Sequence, residues 1–322
     1  MRRRSKYTIS SILFIAGAAL IAAPLFVWAQ QAGAPQKPPA AEEEKDAVFS
    51  SEIRLVPLNV AVLDKSGHHV LDLPQKAFQV FENGTAQQIK LFRREDVPVS
   101  IGLVIDNSGS MRERRTAVES ASMALIKDSN KDDETFVVNF NDESYLDADF
   151  TSDLKVLEQG LSRIDARGGT AMRDAIRMSV EHLREKSRRN KKVILVVTDG
   201  NDNSSNYGLS ELVRLAQQND VLIYAIGILA TEDKAEAKKA KRALDLLVEQ
   251  TGGQVFYPRE VTEVEAIAHQ VAHDIRNQYS LAYTPTNAVQ DGTFRNIKVT
   301  VKAPGNPVAR TRAGYYAPKP KS

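Results

Sequence analysis

The chain contains no cysteine, which excludes disulfide bonds, thiolate metal sites and cysteine nucleophiles. Its formal net charge is only +2 over 322 residues, so no overall positive field favours binding to nucleic acid. Two local basic runs, residues 188–192 and 238–242, lie beside helical patterns that are rich in acidic residues. We interpret both runs as solvent-exposed helix faces rather than as phosphate-binding patches.

The sequence patterns of common hydrolases are also missing. The turn after the predicted strand at 99–105 has no G-x-S-x-G frame, and the chain has no Walker loop. His269 and His273 share a helix face, but Gln270 stands where zinc proteases of the H-E-x-x-H type have their glutamate base. We therefore expect no enzymatic activity. We interpret this histidine pair as part of a partly buried helix face and the pair at 68–69 as exposed.

The first fifty residues predict export. Basic residues at positions 2, 3, 4 and 6 precede an apolar run from Ile9 to Ala29, an order typical of a signal peptide. The run also approaches the ~20 apolar residues that span a bilayer. We therefore expect residues 1–29 to be either a cleaved signal or a membrane anchor formed by residues 7–29. Both alternatives place the rest of the chain outside the cytoplasm, in the periplasm or secreted.

Residues 30–50 are rich in Ala, Pro and Gln and predict a flexible linker. Residues 51–96 predict a small N-terminal β module, in which Asn83-Gly84 is a strong hairpin signal. From position 97 to 280, strands alternate with longer helices, which predicts an α/β domain with a mostly parallel sheet. Residues 281–322 predict a C-terminal β segment. The sequence leaves open whether this segment pairs with the module at 51–96.

Three loops at the carboxyl ends of predicted strands carry oxygen ligands, at residues 106–110, 168–170 and 198–200. Open α/β sheets bind their ligands outside this edge. Carboxylates and neutral hydroxyls together form the oxygen shell that a hard divalent cation takes. The candidate metal ligands are Asp106, Ser108, Ser110, Thr170 and Asp199.

Asp and Ser are also the residues that a helix N-terminus prefers, so a helix cap explains one or two of them. A cap does not explain why all three loops lie in order at the same end of the sheet. Because several of these ligands are neutral, they would not fully cancel the positive charge of the cation. We therefore expect an open coordination position that attracts a carboxylate from a partner.

This arrangement resembles the metal-ion-dependent adhesion site of von Willebrand factor type A domains. The motif D-x-S-x-S at 106–110, Thr170 about sixty positions later and Asp199 in a T-D-G turn follow in the same order. The alternating strand pattern is similar across about residues 97–280. The flanks at 71–84 and 291–318 resemble those of an exported bacterial subgroup of the family.

The resemblance implies a Rossmann-like, doubly wound α/β sheet with one antiparallel edge strand. It also implies Mg²⁺ or Mn²⁺, in preference to Ca²⁺, with a Glu or Asp of the partner completing the shell. We expect Asn107, Gly169 and Asn201 to form the ligand-binding rim around the metal.

The predicted function is that of an exported, metal-dependent protein-binding or adhesion module. The alternative is a structural or assembly component of the cell envelope, in which the metal mainly stabilises the fold. The expected partner is a protein or peptide, with no nucleic acid and with membrane contact only through the N-terminal anchor.

Overall fold

A computed structural model describes residues 55–94, 96–162, 166–199, 202–229 and 234–319. The predicted export segment at 1–29 and the predicted linker at 30–50 lie outside these ranges. Among the described residues, no helix is both long enough and apolar enough to cross a membrane.

The described elements follow the order predicted from the sequence, with β strands at both ends and alternating strands and helices between them. The strands are β1 (Val56–Leu63), β2 (Phe78–Glu82), β3 (Thr85–Gln87), β4 (Ile89–Arg93), β5 (Val99–Asp106), β6 (Glu134–Phe140), β7 (Ser144–Thr151), β8 (Lys191–Thr198), β9 (Val221–Gly227), β10 (Val255–Phe256), β11 (Tyr279–Tyr283), β12 (Phe294–Val301), β13 (Val308–Arg310) and β14 (Gly314–Tyr316). The α-helices are α1 (Arg115–Lys127), α2 (Leu154–Ser162), α3 (Met172–Lys186), α4 (Leu209–Gln218), α5 (Lys234–Thr251) and α6 (Val264–Arg276).

The central sheet has the order β10-β9-β8-β5-β6-β7. All its neighbours are parallel except the edge strand β7, which runs antiparallel to β6. Every residue of β5 and of β9 is buried, as expected for strands covered on both faces. The chain leaves β5 towards β6 on one side and returns as β8 on the other, so the strand order switches between β5 and β8. The predicted doubly wound α/β fold is confirmed.

Helices cover both faces of this sheet. Val118 of α1, Leu157 of α2 and Val271 of α6 belong to one buried apolar cluster. The helices α3, α4 and α5 contribute to a second cluster on the other face. The two layers of helices leave the ends of the strands as the places where a ligand can approach the sheet.

The strands at the two ends of the described chain pair with each other. One four-stranded sheet has the order β13-β1-β11-β4, and a second has the order β14-β12-β2-β3. Their inner faces share a core that includes Leu58, Val60, Val80 and Tyr279. We call these eight strands the β module. Because β11 pairs with β1 and β4, the C-terminal part of the module begins at Tyr279, two residues before the predicted boundary at 281.

The hairpin predicted at Asn83-Gly84 is confirmed. Glu82 of β2 faces Thr85 of β3 across the turn, and both turn residues have positive φ, +47° and +81°. Two central residues with positive φ are the requirement of a type I′ turn, which matches the twist of the two strands.

A buried ionic cluster joins the β module to the α/β domain. Asp274 of α6 lies 2.8 Å from Nε2 of His69 and also pairs with Arg310 of β13. The Tyr224 hydroxyl donates to Oδ2 of Asp274 at 2.5 Å. Burial alone would raise the pKa of Asp274, but these partners outweigh it and hold the pKa below its usual value. The expectation that the histidines at 68–69 are exposed is therefore wrong for His69, whose side chain is 10% exposed.

The other predicted histidine pair is more exposed than expected. Both His269 and His273 lie on the open side of α6. His269 pairs with Asp128 through Nδ1, and His273 packs its ring against His69 with centroids 5.3 Å apart. The interpretation of a partly buried face does not hold for these two side chains.

Candidate metal centre

Asp106 is the last residue of β5, and its side chain is completely buried. The amide N–H of Ser108 donates to its Oδ1 at 2.8 Å. The hydroxyl of Thr198, at the end of the neighbouring strand β8, donates to its Oδ2 at 2.6 Å. The switch in strand order thus places these two strand ends side by side and fixes the orientation of the Asp106 carboxylate.

Ser108 and Ser110 present their hydroxyls at the same point, with the two Oγ atoms 3.1 Å apart. Ser108 immediately precedes a short 3-10 helix, Gly109–Arg114, but its side chain makes no capping hydrogen bond to that helix. Ser108 therefore stands at the N-cap position, but its side chain does not act as a cap. Its hydroxyl instead lies within the polar site.

The second predicted loop is tied to the first by backbone hydrogen bonds. Gly109 donates to the carbonyl of Gly168 at 3.3 Å, and Arg167 donates to the carbonyl of Asn107 at 3.1 Å. Thr170, which is 2% exposed, follows directly and begins the approach to α3. These bonds bring Thr170 beside the loop that carries Asp106 and the two serines.

Sequence reasoning missed the residues that hold the Thr170 loop. The side chain of Asn203 accepts from the Thr170 amide at 2.9 Å, and Asp142 accepts from the Gly169 amide at 2.6 Å. A Cβ on Gly169 would lie 2.4 Å from Oγ of Ser204 and 2.6 Å from Oδ1 of Asn203. A side chain at this position would therefore displace the Ser204 and Asn203 side chains that support the loop. Asp142 follows β6 at the same sheet edge, which is the signal that could have identified it.

Asp199 follows β8 and is 5% exposed. Nη1 of Arg114 lies 4.0 Å from Oδ2 of Asp199. Burial, and after it the charge of Asp199, raise the pKa of Asp106 to about 6, although the bonds from Ser108 and Thr198 lower it. The two carboxylates are therefore close enough to repel each other in a site of low water content.

The outer residues of the site are more exposed to solvent than its two carboxylates. Gly109, Ser110, Gly168 and Asn203 are exposed, whereas the carboxylates below them are buried. Asn107, predicted as a rim residue, is 4% exposed, and its Oδ1 accepts a hydrogen bond from Arg115. Its side chain therefore supports the loop from inside. The predicted rim residue Asn201 lies outside the described residues.

The donor set fits a hard divalent cation. It combines two carboxylates that repel each other with three neutral hydroxyls, and such cations take oxygen ligands of both kinds. Within the described ranges, no three His, Cys, Asp or Glu side chains cluster as a metal site. A cation at this edge would therefore depend on the serine and threonine hydroxyls as well as on Asp106 and Asp199.

Comparisons with known proteins show what the central part of the chain is similar to. Residues 101–201 match the family model of the von Willebrand factor type A domain. The inter-alpha-trypsin inhibitor heavy chain H4 of Sus scrofa is 27% identical over 225 residues, which cover 64% of this chain and 23% of that protein. The chain spans about a quarter to a third of the length of the curated relatives it matches.

Two solved structures are similar at low identity. A von Willebrand factor type A protein from Catenulispora acidiphila has a TM-score of 0.47 and 13% identity, with coverage of 84% of this chain and 74% of that one. The vWF domain of the type V pili tip protein Mfa5 from Porphyromonas gingivalis has a TM-score of 0.46 and 14% identity, with coverage of 56% and 97%. Within the α/β body of this chain, residues 101–201 are thus similar to the von Willebrand factor type A domain.

Proposed function

We propose that this protein is an exported, metal-dependent module that binds a protein partner through an acidic side chain. Asp106, Ser108, Ser110, Thr170 and Asp199 would hold Mg²⁺ or Mn²⁺. The metal would supply a positively charged open coordination position, which a Glu or Asp of the partner fills. The family match supports a protein-binding role, and the basic and apolar N-terminal sequence supports export.

This proposal rests on the contrast between the buried carboxylates of Asp106 and Asp199 and the exposed residues above them. Asp106 and Asp199 are shielded from water, so a cation between them would interact strongly with both. Ser110 and its neighbour Gly109 are exposed, so a partner's carboxylate can approach the same point from outside. A purely structural metal would need no such access.

The second candidate is a structural or assembly role, in which the metal mainly stabilises the fold. The backbone bonds between the loops at 107–109 and 167–168 favour it, because a cation there would also hold the two loops together. Both candidates share the metal ligands, and they differ in whether a partner's carboxylate is recruited. We propose no catalytic role, since the sequence carries no recognisable nucleophile frame.

The first test is isothermal titration of the full chain with Mg²⁺, Mn²⁺ and Ca²⁺. We expect saturable binding of Mg²⁺ and Mn²⁺, and its loss in Asp106→Ala. Asp132→Ala removes an exposed acid outside the site and should leave the titration unchanged. An absence of both heat and thermal shift on adding metal would contradict the proposal.

The second test separates binding from stabilisation. Purified chain is immobilised and exposed to envelope extract in Mg²⁺ or in EDTA, with Asp106→Ala and Asp132→Ala beside the wild type. The binding role predicts a protein retained by the wild type and by Asp132→Ala in Mg²⁺ only, and released by a soluble acidic peptide. If metal raises the melting temperature and no protein is retained in a metal-dependent way, the structural role is the correct one.

A further inference from the structure

A cavity of about 840 Å³ lies between the β module and the amino ends of the central strands. It is at the opposite end of the sheet from the metal centre. Strand β8 extends from the cavity to the metal centre and has 8 residues. At a rise of about 3.3 Å per residue, its two ends are about 25 Å apart. We call this cavity the basal cleft. It is therefore a separate site.

One wall of the basal cleft is an outer face of the β module. Pro57 of β1, Ala282 of β11 and Leu91 of β4 stand in one row across the sheet, because Pro57 pairs with Ala282 and Ala282 with Leu91. All three line the cleft. The next row includes Arg93. Asn59 and Ser280 stand in that row and also line the cleft, so this wall has one apolar row beside one polar, basic row.

The opposite wall is basic. Seven of the residues that line the cleft are Arg or Lys, and only Asp220 is acidic. Arg188 and Arg189 come from the loop after α3, and Lys192 from the start of β8. Arg93, on the facing wall, adds a fourth. These four side chains form no ion pair among the described residues, so their charges are not neutralised there by the protein.

The position of a helix end does not explain this charge. Basic residues are favoured in the last turn of a helix, and that accounts for Arg184 near the end of α3. It does not account for Arg93 or for Arg312, which reach the cleft from β4 and from the segment after β13. Arg312 is 9% exposed, and its guanidinium pairs with Asp220, the acidic residue that lines the cleft, and donates to the Pro57 carbonyl at 2.9 Å. Cations from separate segments converge on one space.

We propose that the basal cleft binds an extended, acidic peptide segment of a partner protein. Guanidinium groups bind carboxylates in a planar, two-point geometry, and the aliphatic row offers contacts to side chains between the carboxylates. No aromatic residue lines the cleft among the described residues, so it lacks the stacking platforms with which proteins hold single-stranded nucleic acids. The basic run at 188–192 lies in the loop after α3 and at the start of β8, so it is not the helix face that we expected, although Arg188 is exposed as predicted.

The test is fluorescence anisotropy with a fluorescein-labelled peptide of alternating Glu and Leu, titrated with the full chain in EDTA. The absence of divalent metal keeps the peptide's carboxylates from the metal centre, so this result does not depend on the proposed function. We expect saturable binding that weakens as salt is added. The double variant Arg188→Glu/Arg189→Glu should weaken binding by about tenfold or more.

The control variant is Lys238→Glu/Lys239→Glu, which makes the same change of charge at exposed positions of α5 and should alter binding by about twofold or less. Arg93→Glu, on the exposed side of β4, tests the facing wall. If the double variant does not fold, weaker peptide binding by Arg93→Glu is the result that supports the proposal, and unchanged binding is the result that overturns it. Equal losses in the cleft and control variants would overturn the proposal, as would no saturable binding by the wild type. Tighter binding of polyphosphate or of single-stranded DNA than of the peptide would also overturn it.

Discussion

The two ends of the central sheet carry opposite chemistry. At the carboxyl ends of β5 and β8, Asp106 and Asp199 are buried beside neutral hydroxyls. At the amino ends of β8 and β9, the cavity is lined by arginines and lysines. The carboxyl end thus has two carboxylates in one small site, whereas the cleft at the amino end is lined by cations from several segments and by one acid, Asp220.

This difference shows how the same sheet can support two kinds of recognition. A compact pair of carboxylates suits a small, doubly charged ion held by oxygens at fixed distances. A broad cationic cavity suits a flexible chain with several negative charges, where geometry is less strict. Long-range fields fall off within about 10 Å at ordinary ionic strength, so the two ends, about 25 Å apart, act as independent electrostatic sites.

The largest loss of stability that we expect follows from removing Asp274, the buried anion that neutralises Arg310 within the protein. Asp274→Ala removes the anion shared by His69, Arg310 and Tyr224, and leaves a partly buried arginine without its partner. The free energy of unfolding, measured by urea titration, should fall by about 3 to 5 kcal/mol.

The matched control is Glu181→Ala, which breaks an exposed pair with Arg177 on α3 and should cost about 0.5 kcal/mol or less. If both variants lose the same stability, internal neutralisation is not what distinguishes Asp274. The contrast between compensated cations and the uncompensated ones of the basal cleft would then be lost.

A second prediction concerns Lys191, whose side chain is buried where β8 begins and donates to the carbonyl of Ile275 at 2.5 Å. Burial lowers the pKa of Lys191 to about 8, against the charges of Asp274 and Asp96, which raise it. Between pH 8 and its ordinary value of 10.5, the unfolded chain keeps a proton that the folded protein has lost. Stability should therefore rise with pH through this window, by up to about 3 kcal/mol.

Lys191→Met should remove that rise when unfolding is followed by urea titration from pH 7 to 11. The exposed Lys131→Met variant should keep it. A wild-type stability that stays flat or falls over this window, with no difference from Lys191→Met, would contradict burial of a charged amine at the amino end.

The smallest effect that we expect is a change in Mg²⁺ affinity at the carboxyl end of the sheet, when each of two glycines is replaced by alanine. Gly169→Ala places a methyl group against Ser204 and Asn203, whereas a Cβ on Gly109 meets only the Gly168 carbonyl at 3.7 Å. We expect Gly169→Ala to weaken Mg²⁺ binding by about tenfold, or about 1.4 kcal/mol, and Gly109→Ala to leave it nearly unchanged. Calorimetry of both variants in parallel measures the difference, and equal affinities would show that the loop tolerates displacement.

The sequence predicts the α/β fold and the site because both depend on local patterns. Continuous apolar runs mark β5 and β8, which two of the ligand loops directly follow, and the third loop leads into α3. The side-chain direction of Asn107 was not predictable in this way. It depends on Arg115, which reaches back from α1 to hold Asn107 inside the loop.

Contacts distant in sequence were also beyond sequence reasoning. Val60 of β1 pairs with Tyr279 of β11, and no periodicity specifies which strands meet over such a separation. The same limit applies to His69 and Asp274. The charge pattern at 188–192 fitted an exposed surface, but a pattern alone does not show whether that surface is convex or lines a cavity.

The pairing of β4 with β11 also has a mechanical consequence. The α/β domain is inserted between the first four and the last four strands of the β module, so the chain enters and leaves it through adjacent strands. A pull applied between β1 and β13, which pair directly, is therefore carried by the module's hydrogen-bonded ladder, and the central sheet lies outside the path of force. The metal centre would keep its geometry under tension until the module itself separates.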